Sequence, residues 1–131
     1  MKTLNKTSVL LVEDDNDLRN TIGENLKSVD YKVYAARKGI EAIELFKKYD
    51  IDICVLDVET NGMDGFALAS QIRILNPDMP VIYLVSKGLF LNLLNDFEYS
   101  IDDYLTKPFS NEELLLRIKA ALRRVERNDP F

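Results

Sequence analysis

The sequence predicts an α/β domain: one five-stranded parallel sheet, doubly wound, with helices on both faces. Three observations point there. Short apolar runs alternate with longer amphipathic stretches along the whole chain. The runs at residues 9–12 (VLLV) and 81–85 (VIYLV) are continuously apolar, as strands buried on both faces are. At 131 residues the chain has room for one domain and can bury a substantial core without disulfides or a structural metal.

Residues 9–12 are the first strand. Leu18, Ile22 and Leu26 follow at i, i+4 and i+8, on one face of a helix. Residues 31–36 read as a second, weaker strand, and Ala42, Leu45, Phe46 and Tyr49 line a second helix. Residues 51–56 (IDICVL) form the third strand. A turn-rich stretch at 61–65 leads into a helix carrying Leu68 and Ile72. Asn76-Pro77 stops it, because the residue before a proline disfavours helical geometry. The fourth strand, 81–85, is expected to be central. Residues 89–97 form a fourth helix and residues 104–106 a short fifth strand. Ser110 opens the last helix, with Glu113 three residues on as a capping box. That helix is expected to bury Leu114, Leu115, Ile118, Leu122 and Val125, and Arg123 and Arg124 suit the negative end of its dipole. The expected division is a short tail at 1–7, one domain at 8–125 and a linker stub at 126–131. Neither an internal repeat nor a low-complexity segment is present.

Composition removes several function classes. The hydrophobic and charged fractions, 47% and 30%, are those of an ordinary globular protein. A net charge of −5 argues against nonspecific attraction to nucleic acid or to an anionic membrane. No direct nucleic-acid or membrane contact is expected of this domain, and any action on DNA would belong to another one. Cys54 is the sole cysteine, so no internal disulfide can form and a reducing compartment is the natural setting. The start MKTLNKTS lacks the apolar region of a signal peptide, and no apolar run reaches membrane-spanning length. A cytoplasmic location is expected. The chain has no histidine, which removes Ser-His-Asp and Cys-His nucleophilic sites, histidine metal sites and phosphohistidine carriers. Carboxylates, lysines and hydroxyls must do the chemistry.

Right-handed crossovers restrict the strand order, and 2-1-3-4-5 is taken over from known five-stranded doubly wound sheets. Such sheets bind ligands beyond the carboxyl ends of their strands, where the order reverses. Strand one ends at Glu13-Asp14-Asp15 and strand three at Asp57, so Asp14 and Asp57 come side by side with Glu13 close behind. Carboxylates crowded together without histidine suit a hard, oxygen-seeking cation, most simply Mg²⁺ (or Mn²⁺). Singly, Asp14 or Asp15 reads as a helix cap and Asp57 as a turn residue. Together at the switch point they read as a site. Lys107, at the end of strand five, can lean across the same edge and meet a phosphoryl oxygen as a point charge, although most lysines are simply solvated. The Lys107–Pro108 bond is expected to be cis, turning the chain while the amine stays aimed at the site.

Four segments, VLLVEDDNDLR, LDVETNGMDGF, PVIYLVSKG and DDYLTKPFSNEELLLRI, resemble in order and spacing the receiver domains of bacterial two-component response regulators. The likeness runs from Val9 to Arg124, and the last segment is similar to receivers attached to winged-helix DNA-binding domains. The resemblance implies the flavodoxin-like receiver fold, with Asp57 as the aspartate phosphorylated by a sensor histidine kinase or phosphotransfer protein. It implies Mg²⁺ held by Asp14, Asp57 and the backbone carbonyl of Glu59, with Glu13 acting through water. Lys107 would contact the phosphoryl group, and Asp15 is left as a helix cap. A receiver is a phosphoacceptor switch that assists its own phosphotransfer and dephosphorylation, not a conventional enzyme.

The sequence departs from that pattern in places. The family's switch hydroxyl, a Thr or Ser ending strand four, falls on Val85. Ser86 is one residue on, where a strand points its side chain the other way. The aromatic switch partner, Tyr104, is present. Asn61 stands where the loop after the phosphoacceptor usually has proline. Glu59 is an additional acid that could pair with Lys87. In the fourth helix Phe90, Leu94 and Phe97 account for a core face, leaving Leu89, Leu91 and Leu93 without obvious burial. These leucines, rimmed by Asp102, Asp103, Arg117 and Arg123, suggest a homodimer or docking surface made by the fourth helix, fifth strand and last helix. Cys54 is a packed core residue.

Two other readings remain. One is a phosphorylation-independent pseudo-receiver used as a binding module, favoured by Val85 but opposed by intact Glu13, Asp14, Asp57 and Lys107. The other is a Mg²⁺-dependent phosphatase of haloacid-dehalogenase type, loosely suggested by Glu59 two residues past Asp57, but lacking the cap or longer chain such enzymes need.

Overall fold

A computed structural model describes residues 6–59, 64–93 and 104–128, with backbone only at 93 and 126–128. Five βα units follow one another. They are β1 (Ser8–Val12), α1 (Asn16–Ser28), β2 (Lys32–Ala36), α2 (Gly39–Lys48), β3 (Ile53–Asp57), α3 (Gly65–Leu75), β4 (Val81–Ser86), α4 (Lys87–Leu93), β5 (Tyr104–Lys107) and α5 (Asn111–Asn128). All neighbouring strands are parallel, in the order β2-β1-β3-β4-β5, as expected.

Strands β1, β3 and β4 are buried on both faces because their alternate residues feed two cores, while edge strand β2 stays partly exposed. Leu10, Cys54, Leu56, Val81 and Val85 face a cluster shared with α2, α3 and α4. Val9, Leu11, Ile53, Val55 and Leu84 face one shared with α1 and α5. Leu18, Ile22 and Leu26 all lie in the second cluster, as their spacing predicted. Cys54 is fully buried, and burial pushes its thiol up to about 12, so it is an inert core residue.

Local chemistry sets the helix starts. Asp15 caps α1, its Oδ1 accepting the Leu18 N–H at 3.0 Å. Asp64 caps α3, accepting the Phe66 N–H at 2.8 Å. The expected capping box forms at α5, with Ser110 Oγ accepting from Glu113 N at 3.1 Å and Glu113 Oε1 from Ser110 N at 3.3 Å. The Lys107–Pro108 bond is cis.

Several boundaries differ from the sequence reading. Strand three begins at Ile53 rather than residue 51 and includes Asp57, because Asp57 still pairs with Leu84 of β4. Tyr49 lies outside α2, as an extended cap stacked on Tyr34 at 4.2 Å. The last helix runs on to Asn128, into the stretch read as a linker, and Val125 is exposed rather than buried. Helix α4 starts at Lys87, two residues early, because the Ser86 hydroxyl caps it by accepting the Leu89 N–H at 3.2 Å. Leu89 is consequently half-buried and packed on the first core cluster, which corrects its assignment to a free surface. Asn61, the second half of the expected fourth helix with Leu94 and Phe97, and Asp102 and Asp103 lie outside the described residues, as does the Leu93 side chain.

Candidate functional site at the carboxyl edge of the sheet

The topology puts the ends of β1, β3 and β5 at one edge, and their last residues converge. Glu13, Asp14 and Asp57 each offer a carboxylate oxygen within 4.8 Å of the others. Lys107 reaches in from β5, its Nζ donating to Asp57 Oδ2 at 2.7 Å and lying 3.5 Å from Glu13 Oε1. Asp57 Oδ1 accepts the Glu59 N–H at 2.9 Å, so both oxygens of this carboxylate are held. Four residues singled out in the sequence thus meet as expected.

Burial within the cluster is uneven. Glu13 is only 1% exposed and Asp57 3%, whereas Asp14 is half-buried at the rim. Glu13 Oε2 accepts the Asp15 N–H at 3.1 Å, but the buried Oε1 has no hydrogen-bond partner. Burial, and then the Asp57 carboxylate beside it, push the Glu13 acid up to about 7. For Lys107, burial alone would lower the ammonium, but the hydrogen bond to Asp57 and the charges of Asp57 and Glu13 outweigh it and raise its pKa. Lys107 is shared between the Asp57 and Glu13 carboxylates, and the buried Glu13 Oε1 still lacks a hydrogen-bond donor. An all-oxygen donor set with an orphaned buried oxygen fits a hard cation.

The remaining predicted residues fall around this centre. Val85 is fully buried in the first core cluster, beside Thr106 of β5. Ser86 spends its hydroxyl on α4. Glu59 does not pair with Lys87; its Oε1 accepts the Ser86 N–H at 3.1 Å instead. Tyr104 is buried inward among Tyr83, Phe66 and Phe90, with ring centroids at 5.4, 6.0 and 6.2 Å. Phe66 and Tyr83 escaped the sequence reading, since each fits a core position without any reference to Tyr104. Leu91 is 57% exposed on α4, and Leu116, on α5, is exposed as well although the sequence reading passed over it. Arg117 and Arg123 are exposed on the same helix. Beside Lys107 lies a half-open apolar groove of about 500 Å³, walled by Leu18, Ile22, Pro108, Phe109 and Leu114.

Gly65 was also missed. A Cβ there would stand 2.6 Å from Val58 Cα and 2.7 Å from the Asp57 carbonyl oxygen. Only glycine lets the start of α3 pack directly on the peptide that carries Asp57. The Asp64-Gly65 pair was the available signal, but a turn accounts for it equally well.

The family model described as "Response regulator receiver domain" matches residues 9–119. The transcriptional regulatory protein RprY of Bacteroides fragilis is 42% identical over 120 residues, which is 92% of this chain and 51% of that protein. The chain therefore spans about half the length of this relative. The Francisella response regulator 1452 receiver domain superposes with a TM-score of 0.79 at 30% identity, covering 91% of this chain and 98% of that one. A receiver domain protein from Clostridium thermocellum shares the fold with a TM-score of 0.82 at 23% identity, covering 92% and 97%. Among the described residues no helix is long and apolar enough to cross a membrane. Five parallel strands in this order, the acidic edge with its lysine and the match over residues 9–119 lead to one conclusion: the chain belongs to the response regulator receiver domain family.

Proposed function

We propose that this domain accepts a phosphoryl group on Asp57 from a histidine kinase or phosphotransfer protein and so switches the α4-β5-α5 surface. The observation that carries this reading is the doubly held Asp57 carboxylate, with Lys107 Nζ at 2.7 Å on one oxygen and Glu59 N at 2.9 Å on the other. Attack by a carboxylate on a phosphoryl group faces repulsion between anions, so fixed geometry and local positive charge are what catalysis needs. Asp57 forms the new P–O bond as the P–N bond of the partner's phosphohistidine breaks and imidazole leaves. Lys107 screens the incoming oxygens and keeps Asp57 in line. Water later hydrolyses the acyl phosphate.

Asp14, Asp57 and the Glu59 carbonyl would hold Mg²⁺ (or Mn²⁺), with Glu13 contributing through water, and the ion would supply positive charge beside the phosphoryl oxygens. Exposed Leu91 on α4, and exposed Arg117 and Arg123 on α5, support a homodimer or docking role for α4-β5-α5. The relative's printed role as a transcriptional regulatory protein supports an output in transcription, carried by a segment other than this domain.

The test is incubation with acetyl phosphate and Mg²⁺, followed by intact mass. One phosphoryl adduct is expected on the native chain and none on Asp57→Asn. An adduct that survives in Asp57→Asn, or none on the native chain, contradicts the proposal. Fully buried Val85 favours a second reading, a receiver whose partner binding is independent of phosphate. Equal partner affinity for native and Asp57→Asn chains would support it.

A further inference from the structure

One side chain at the acidic edge has no part in the mechanism above. Glu59 is joined to the phosphoacceptor through its backbone, its N–H donating to Asp57 Oδ1 at 2.9 Å. Its carboxylate reaches across to the next strand, where Oε1 accepts the Ser86 N–H at 3.1 Å, 27 residues away in sequence. Ser86 is the last residue of β4, and its hydroxyl caps α4 through the Leu89 N–H at 3.2 Å. A short polar chain therefore runs from Asp57 through Glu59 and Ser86 to the start of α4. The neighbouring Val85, buried in the core, offers no polar group to such a link.

We propose that Glu59 is the coupling residue of this domain: its carboxylate holds the β4–α4 junction while Asp57 is bare and releases it when Asp57 carries a negative phosphoryl group. The inference rests on Asp57 being the phosphoacceptor. Phosphorylation replaces the single negative charge of the Asp57 carboxylate, which Glu59 N already bonds, with an acyl phosphate carrying about −1.5 to −2, a net gain of up to about one negative charge. The Glu59 carboxylate, two residues away, is then repelled. Being exposed, it can turn into water at little cost. The Ser86 N–H loses its charged acceptor, and the cap on Leu89 shifts with the same residue. A two-state element responds only to an interaction that differs between its states. A contact made with Asp57 bare and opposed by charge once Asp57 is modified is such an interaction.

Amide NMR of the full chain in Mg²⁺, with and without beryllium fluoride, tests this on the native protein, Glu59→Gln and Glu59→Ala. Fluorine NMR reports independently whether the adduct forms. In the native chain the Ser86 and Leu89 amides should move on adduct formation. In Glu59→Ala they should start near their adduct positions and move little. Glu59→Gln keeps an acceptor oxygen without the charge, so its starting positions should be native and its response small. Beryllium fluoride should bind Glu59→Ala about two- to tenfold more tightly, the range of one exposed hydrogen bond that no longer has to be broken. Adduct formation with unmoved Ser86 and Leu89 amides in the native chain, or with an undiminished response in Glu59→Ala, overturns the coupling role. Failure of the native chain to form any adduct removes the phosphoacceptor reading and this inference with it.

Discussion

Lys107→Met probes the charge balance of the acidic edge. The substitution keeps most of the side-chain stem beside Pro108 and Phe109 but removes the ammonium 2.7 Å from Asp57 and 3.5 Å from Glu13. At an effective dielectric constant of about 20, the closer contact alone corresponds to a gross attraction of roughly 6 kcal/mol. Desolvation cancels much of that, and stripping a fully buried carboxylate of its partner costs about 3–5 kcal/mol net. Lys107 is 29% exposed, so water screens part of the interaction and about 2–4 kcal/mol is the expected loss. The loss should depend on pH. Glu13, already raised to about 7 by burial, takes up a proton more readily once Lys107 is gone, and neutralisation relieves the strain. Urea unfolding in EDTA should therefore show the full loss at about pH 8 and a smaller one at about pH 6. Millimolar Mg²⁺ should restore part of the stability at about pH 8 by mass action. A loss below about 0.5 kcal/mol at the higher pH, or one indifferent to both protons and Mg²⁺, would refute this electrostatic account.

Mg²⁺ affinity should rise with pH. An acid whose folded pKa is raised from 4.5 to about 7 favours its neutral form, so the metal-free fold is progressively penalised as pH climbs through that window. Cation binding needs the ionised form, so calorimetric titration should show affinity increasing up to about pH 8, and Glu13→Gln should flatten that dependence. Gly65→Ala should cost roughly 1–3 kcal/mol and slow phosphorylation from acetyl phosphate, because the clash is with the backbone of Asp57 and Val58 rather than a movable side chain. Native stability and rate would show that α3 can shift without consequence. Val85→Thr should enlarge the response of Tyr104 to beryllium fluoride in NMR spectra. Burying the new hydroxyl should cost about 1–2 kcal/mol of stability until it finds a partner, and an unchanged response would mean that another route already couples the two.

Much of this was legible in the sequence because strands buried on both faces leave uninterrupted apolar runs. Val9, Leu10, Leu11 and Val12 could hardly be placed elsewhere, and the sheet order then carried Glu13, Asp14, Asp57 and Lys107 to one edge. What stayed hidden depended on through-space detail. Leu89 looked exposed because the start of α4 is fixed by the Ser86 hydroxyl, a cap displaced from the apolar periodicity. Glu59 was matched with Lys87 on charge, yet a backbone N–H at 3.1 Å takes the carboxylate instead. The need for glycine at position 65 comes from the approach of α3 to the Asp57 peptide, which no local pattern records. The enclosure of Tyr104 by Phe66, Tyr83 and Phe90 draws on three separate elements.

The central claim is that Asp57 itself becomes an acyl phosphate. After acetyl phosphate and Mg²⁺ treatment, borohydride reduction converts an aspartyl phosphate to homoserine, which peptide mass mapping locates to a single residue. Homoserine at position 57, absent without Mg²⁺ or after mild hydrolysis, is the predicted result. Its appearance at Asp14 or Glu59 instead, or nowhere in the chain, would contradict the account.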